Sequence, residues 1–123
     1  MSATKTVVYV AGPFRAVPHE NQWLQWQNIM RAAALAHDVW MAGGVAICPH
    51  LNTAFFEGSM ESRVWLDGDL EILRRCDAIL MTEDWEESRG ACAERDFALA
   101  HRIPVFYTVN ALRDWLRGRE EGR

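Results

Sequence analysis

No run of apolar residues in the 123-residue sequence approaches the roughly 20 needed to cross a bilayer. The start, "MSATKTVVYVAG", has only a short apolar stretch before Gly-Pro, so a signal peptide is not expected. Positive charge is not in excess. A net charge of −4 gives no electrostatic attraction to a nucleic acid polymer or an anionic membrane surface. The three cysteines, Cys48, Cys76 and Cys92, are odd in number and far apart, which argues against a disulfide framework and for a cytoplasmic, reducing location. Cys48 and His50 with either remaining cysteine match no zinc spacing, so no metal is expected. The sequence has no GxGxxG, no P-loop and no GxSxG, which counts against dinucleotide binding, Walker-type phosphate binding and α/β-hydrolase chemistry. Repeats, linkers and low-complexity segments are also lacking.

What is present is an alternation. "TVVYVA" (6–11) is apolar without a polar alternation after Thr6, the pattern of a strand buried on both faces. From about Glu20 to Met41, Trp23, Trp26, Met30, Ala33, Ala34 and His37 follow a helical period, and Gly43-Gly44 ends it. "VAIC" (45–48) reads as a second buried strand, and the stretch from Pro49 to Glu61 as an irregular loop. Residues 61–76 read as an amphipathic helix with Leu66, Leu70 and Leu73 on one stripe. "DAILMT" (77–82) is strand three, 88–101 a helix, "IPVFYT" (103–108) strand four, and "ALRDWLRGR" a closing helix before a frayed end. Six tryptophans read mainly as core and subunit-interface packing.

Apolar strands alternating with helices predict a single α/β domain over 1–123, Rossmann-like or flavodoxin-like, with a parallel sheet of four to five strands covered on both faces. Ligands in such folds bind outside the carboxyl ends of the strands, where the strand order reverses. That rule selects the loops Gly12–Pro18, Pro49–Gly58 and Thr82–Gly90.

Within them, Ser88 is a good N-cap and Gly90 lets a ligand approach the backbone, while the first free N–H groups of the helix favour an anion or a sugar oxygen. Glu94 is six residues beyond Ser88, too far for a capping box, and sits among Cys92, Ala93 and Phe97. Two readings stand: an exposed helix glutamate paired with Arg89 or Arg95, or a partly desolvated reactive carboxylate. Asp67 and Asp69 lie early in their helix, serving its dipole or, alternatively, facing Glu94 as a second carboxylate. The hydroxyl of Tyr9, inside strand one, needs a partner that a buried carboxylate could supply. His50 and Asn52 follow strand two and offer polar contacts. Cys92 has no evident histidine to activate it as a nucleophile.

In order along nearly the whole chain, "VYVAGPFR", "DLEILRRCDAIL" and "SRGACAE" resemble the nucleoside 2-deoxyribosyltransferase superfamily, which includes the 2'-deoxynucleoside 5'-monophosphate N-glycosidases. The likeness is greatest to small, phage-associated members. It implies Glu94 as the nucleophile at the anomeric carbon, Tyr9 as the group that orients it, and Asp69 as the residue that handles the proton of the leaving base. The resemblance also implies that the sugar, or a 5'-phosphate, lies against Gly12, Ser88 and the backbone from Arg89 through Gly90 to Ala91, with Arg15 as an added cation and no cofactor. Pro13, Phe14, His50 and Asn52, from the selected loops, complete the expected substrate site. Transferases of the superfamily tend to carry an aspartate at the place of Ser88, whereas the monophosphate hydrolases carry a serine. Pro13 stands where those hydrolases often have a second serine, and the acidic run Glu83, Asp84, Glu86, Glu87 precedes Ser88. The expected activity is release of a base from a nucleotide or nucleoside, with base exchange or non-catalytic nucleotide sensing as alternatives. Relatives in the superfamily are dimers or larger, which implies a homo-oligomer here, with Trp23, Trp26 and Trp115 as interface candidates.

Overall fold

The computed structural model describes residues 5–14, 21–56 and 58–121. Arg15 and the expected helix start at Glu20 lie outside them. Four parallel strands, β1 (Val7–Ala11), β2 (Val45–Ile47), β3 (Ala78–Met81) and β4 (Val105–Phe106), form one sheet in the order β2-β1-β3-β4. The helices are α1 (Gln22–Met41), α2 (Pro49–Asn52), α3 (Ser62–Arg74), α4 (Arg89–Ala100) and α5 (Val109–Glu121), with a 3-10 turn at Trp85–Glu87. After β2 the chain crosses back to the other side of β1, so the strand order reverses between β1 and β3.

Two cores cover the sheet. Val8 and Val10 face Ala32, Ala36 and Val39 of α1 and Leu112 and Leu116 of α5. The alternate residues Tyr9 and Ala11 face Leu73 of α3 and Ala91 and Ala98 of α4. The two-residue period of a strand therefore places Tyr9 on the α3–α4 side. All of β3 is buried as well, which is why these strands read as unbroken apolar runs.

Several sequence expectations are corrected here. The apolar stripe of α1 points away from the core: Trp23, Trp26 and Met30 are exposed, as are Ala34 and His37. The face that packs is Asn28, Ala32, Ala36 and Val39, mostly small residues that let the helix lie close to the sheet. Leu66, assigned to the core stripe of α3, is exposed, while Leu70 and Leu73 pack. The loop after strand two opens with the short helix α2, started by Pro49, whose fixed φ suits a first helical position. Strand four shrinks to Val105–Phe106 because Thr108 accepts from the Ala111 N–H and starts α5. Trp115 packs on Phe106 at 5.0 Å between ring centroids and belongs to the first core rather than to a free surface.

Both glycine-marked and glycine-free helix ends occur. Gly43 takes φ +98° at the end of α1, and its neighbour Gly44 donates to Val39 O at 3.0 Å. At the end of α4 the same turn is made by Arg102 at φ 59°, with Ile103 N–H donating to Ala98 O at 2.8 Å.

Candidate active site

Tyr9 is fully buried in β1, and its hydroxyl donates to a carboxylate oxygen of Glu94 on α4. The bond explains both residues at once. A buried phenol must find an acceptor, and a carboxylate drawn from water needs a donor. Burial pushes Glu94 up to about 7, the Tyr9 hydrogen bond pulls against that shift, and the charge of Asp69 adds to it. Burial, followed by the charges of Glu94 and Asp69, holds the Tyr9 phenol well above its ordinary value. The alternative of an exposed Glu94 paired with a neighbouring arginine does not describe this molecule. Arg95 donates to Asp96 at 2.9 Å and lies over the Trp85 ring at 4.7 Å.

Asp69 is the eighth residue of α3, mid-helix, so the helix dipole does not account for it. Half-buried and lifted by desolvation to about 6, it lies near enough for its charge to act on both Tyr9 and Glu94. Asp67 behaves differently. It is an exposed surface residue 4.0 Å from Arg63, one turn away. Three chain segments thus bring Tyr9, Asp69 and Glu94 together on the α3–α4 side of the sheet. Two carboxylates titrating near neutrality beside a phenol are equipped for acid–base or nucleophilic work.

The loops at the crevice divide by role. Gly12 is buried against Thr82: a Cβ there would meet Thr82 Oγ1 at 2.3 Å and Cγ2 at 2.5 Å, so packing alone demands glycine. Gly90 is the opposite case, since only Ser88 Oγ, at 3.7 Å, would touch an added Cβ. Ser88 caps α4, its Oγ accepting from Ala91 N–H at 3.1 Å. As first-turn residues of α4, Arg89 and Gly90 have N–H groups without an acceptor inside the helix. Ala91 is buried in the second core, so its side chain serves packing.

Pro13 and Phe14 are half-buried. His50 is buried; its Nε2 donates to Pro13 O at 2.9 Å, and its ring stands edge-on to Phe14 at 5.4 Å. Burial pushes the His50 pKa down, which fits a neutral imidazole engaged by the protein. Asn52 is exposed and lies in an apolar groove of about 530 Å³ beside β2, with Trp40, Leu51 and Ile72. That groove runs along the outer strand, and its lining does not include Tyr9, Asp69 or Glu94. Sequence reasoning selected the loop that holds Thr82 and Asp84 but missed Arg31 and Asn28 of α1, which link that loop to the one after β1. The only local signal for these two was a polar residue, Asn28, on the small-residue face of α1. Among the described residues no group of three His, Cys, Asp or Glu side chains could hold a metal ion, and no helix is long and apolar enough to cross a membrane.

Residues 6–107 match the family model described as a domain of unknown function, DUF4406. The chain belongs to this family. No protein of curated function matches it in sequence. Among solved structures, it is similar to the 2-deoxyribosyltransferase of the psychrotolerant bacterium Bacillus psychrosaccharolyticus. The TM-score is 0.57 at 20% identity, covering 81% of this chain and 69% of that enzyme. A 2-deoxyribosyltransferase from Leishmania mexicana overlaps 81% of this chain but only 61% of its own length, at 20% identity and a TM-score of 0.48. The first likeness places this DUF4406 chain in the deoxyribosyltransferase fold, the architecture that its motifs resemble.

Proposed function

We propose that the protein cleaves the N-glycosidic bond of a nucleoside 5'-monophosphate or nucleoside, ribose or 2'-deoxyribose, and releases the base. The observation that carries this reading is the partly buried Tyr9–Glu94 hydrogen bond, with Asp69 close enough to act on both groups. Ionised Glu94 attacks the anomeric carbon, the C–N bond breaks, and a glycosyl ester forms on the carboxylate. Asp69 gives its proton to the departing base and then takes one from the incoming water as the ester is hydrolysed. Tyr9 keeps one Glu94 oxygen in place and favours its charged form. The sugar, or its 5'-phosphate, lies at Ser88 and the first-turn N–H groups of Arg89 and Gly90, where the open space beside Gly90 admits it. Of the acidic residues before Ser88, Glu83, Glu86 and Glu87 are exposed and Asp84 is paired with Arg31, so this run does not crowd the phosphate position.

A second reading, transfer of the sugar to another base, is favoured by the solved structures of this fold, which are named 2-deoxyribosyltransferases. It uses the same ester and replaces water by an acceptor base. The deciding experiment follows base release from nucleosides and nucleoside 5'-monophosphates, with and without a free acceptor base, beside Glu94→Ala. Release from monophosphates that vanishes in the variant supports hydrolysis through Glu94. Products formed only with an acceptor move the assignment to a transferase. Binding without any turnover leaves the sensing alternative.

Self-association belongs to the same reading. Trp23 stacks on Trp26 at 5.6 Å on the exposed stripe of α1 that also carries Met30 and Met41, an apolar surface suited to a second copy of the chain.

A further inference from the structure

The side chains that join the two lips of the crevice come from outside it. Asn28 and Arg31 are on α1, whose packed face is otherwise alanine and valine. Asn28 is 7% exposed, and a buried amide must be satisfied on both its atoms. Its Nδ2 donates to Phe14 O, in the loop after β1, at 3.3 Å. Its Oδ1 accepts from Arg31 Nη1 at 3.4 Å, and the same Nη1 donates to Asp84 Oδ2, in the loop after β3, at 2.6 Å. The other Asp84 oxygen accepts from Thr82 Oγ1 at 2.8 Å. The Thr82 side chain in turn fills the space beside Gly12. The path closes on itself, from Phe14 through Asn28, Arg31, Asp84 and Thr82 back to Gly12.

An isolated surface ion pair of this kind contributes little. This one differs in position. It spans α1 and the two loops that border the point where the strand order reverses, and it engages both oxygens of Asp84. It shares no bond with Tyr9 or Glu94.

We infer that Asn28, Arg31 and Asp84 are positioning residues that fix the separation of the β1 and β3 loops and so set substrate affinity, while Tyr9, Asp69 and Glu94 set the chemical step. The inference rests on the proposed function for the nature of the ligand, and on the ring of contacts for everything else.

The test uses the full chain with Arg31→Ala, Asp84→Asn and the double variant; Asn28 is left intact because it is buried. Base release from the four common 2'-deoxynucleoside 5'-monophosphates gives KM and kcat, and hydrogen exchange reports the loops. Either single change is expected to raise KM on the order of tenfold. The double variant should add nothing further, kcat should stay within about twofold, and exchange should quicken at Phe14 and across 82–88. KM unchanged while Tm falls would overturn the inference, as would additive effects on KM. If the wild type releases no base from these nucleotides, from the ribonucleotides or from the parent nucleosides, with or without an acceptor base, the proposed function fails. The same variants are then read by exchange and by calorimetric titration with the four 2'-deoxynucleoside 5'-monophosphates. Faster exchange with weakened binding then sustains the positioning role. Unchanged exchange, or no binding by the wild type, overturns it.

Discussion

Tyr9 and Glu94 stand 85 positions apart in the sequence and share one partly buried hydrogen bond. The phenol donates, and its donation opposes the burial that raises Glu94. Removing the hydroxyl with Tyr9→Phe leaves the ring in the core and takes away the opposing effect. Glu94 should then titrate above about 7, so that the falling limb of the bell-shaped pH–rate profile moves to higher pH while the maximum drops. A loss in kcat/KM at neutral pH of about 10- to 100-fold is expected, the worth of one hydrogen bond to a charged group. Steady-state kinetics across pH checks both.

Glu94 should also be a stability burden. Its carboxyl titrates at about 7 in the folded chain against 4.5 when unperturbed. A raised acid contributes stability that is fully present below 4.5 and is lost as pH climbs to about 7. Glu94→Gln keeps an acceptor for Tyr9 and cannot ionise. The variant should be more stable than the wild type at about pH 8, by at most about 3 kcal/mol, with the gap closing toward pH 4.5. Denaturant melts at several pH values measure it, and base release should be abolished in parallel.

The carboxylate pair should work with one proton between its members. Asp69 at about 6 and Glu94 at about 7 give a bell-shaped kcat/KM centred between those values, with limbs that belong to the pair. Asp69→Asn leaves the burial that mainly raises Glu94 but removes the charge that adds to it, and with it the group that gives up a proton. The falling limb should disappear, the rising limb should lie below about 7, and the rate should fall by about 100-fold or more.

Two glycines should separate packing from ligand contact. Gly12→Ala drives a methyl into Thr82 and is expected to destabilise the fold by about 1–3 kcal/mol. Gly90→Ala meets open space in the first turn of α4 and should leave stability unchanged or raised by up to about 1 kcal/mol. If a sugar or phosphate approaches that backbone, Gly90→Ala will nevertheless raise KM. A more stable Gly90→Ala protein with an unaltered KM would remove the ligand from the α4 terminus.

The stacked pair Trp23 and Trp26 is expected to hold copies of the chain together. Trp23→Ser with Trp26→Ser should leave Tm nearly unchanged, since neither ring joins a core, and should shift the mass measured by light scattering to that of the monomer. A wild-type chain that is already monomeric would rule that face out.

The sequence by itself determined the order of elements, because strands buried on both faces must be apolar throughout and helix ends are marked by residues such as Ser88, which opens α4, and Gly43, which ends α1. It also marked Glu94, since no capping distance accounted for a carboxylate among small residues. It could not decide which face of α1 packs. Trp23, Trp26 and Met30 form the more hydrophobic stripe, yet a helix lying close on a sheet needs the small side chains of Ala32 and Ala36. Nor could it separate the two reasons for glycine at Gly12 and Gly90, because only the position of Thr82 shows that one space is filled and the other open. The pairing of Tyr9 with Glu94 was implied only by the family resemblance, and that of Asp84 with Arg31 by nothing in the sequence; the tertiary structure makes both, through contacts between residues distant in sequence. Such partners are chosen by strand order and helix placement, which no local pattern in the chain encodes.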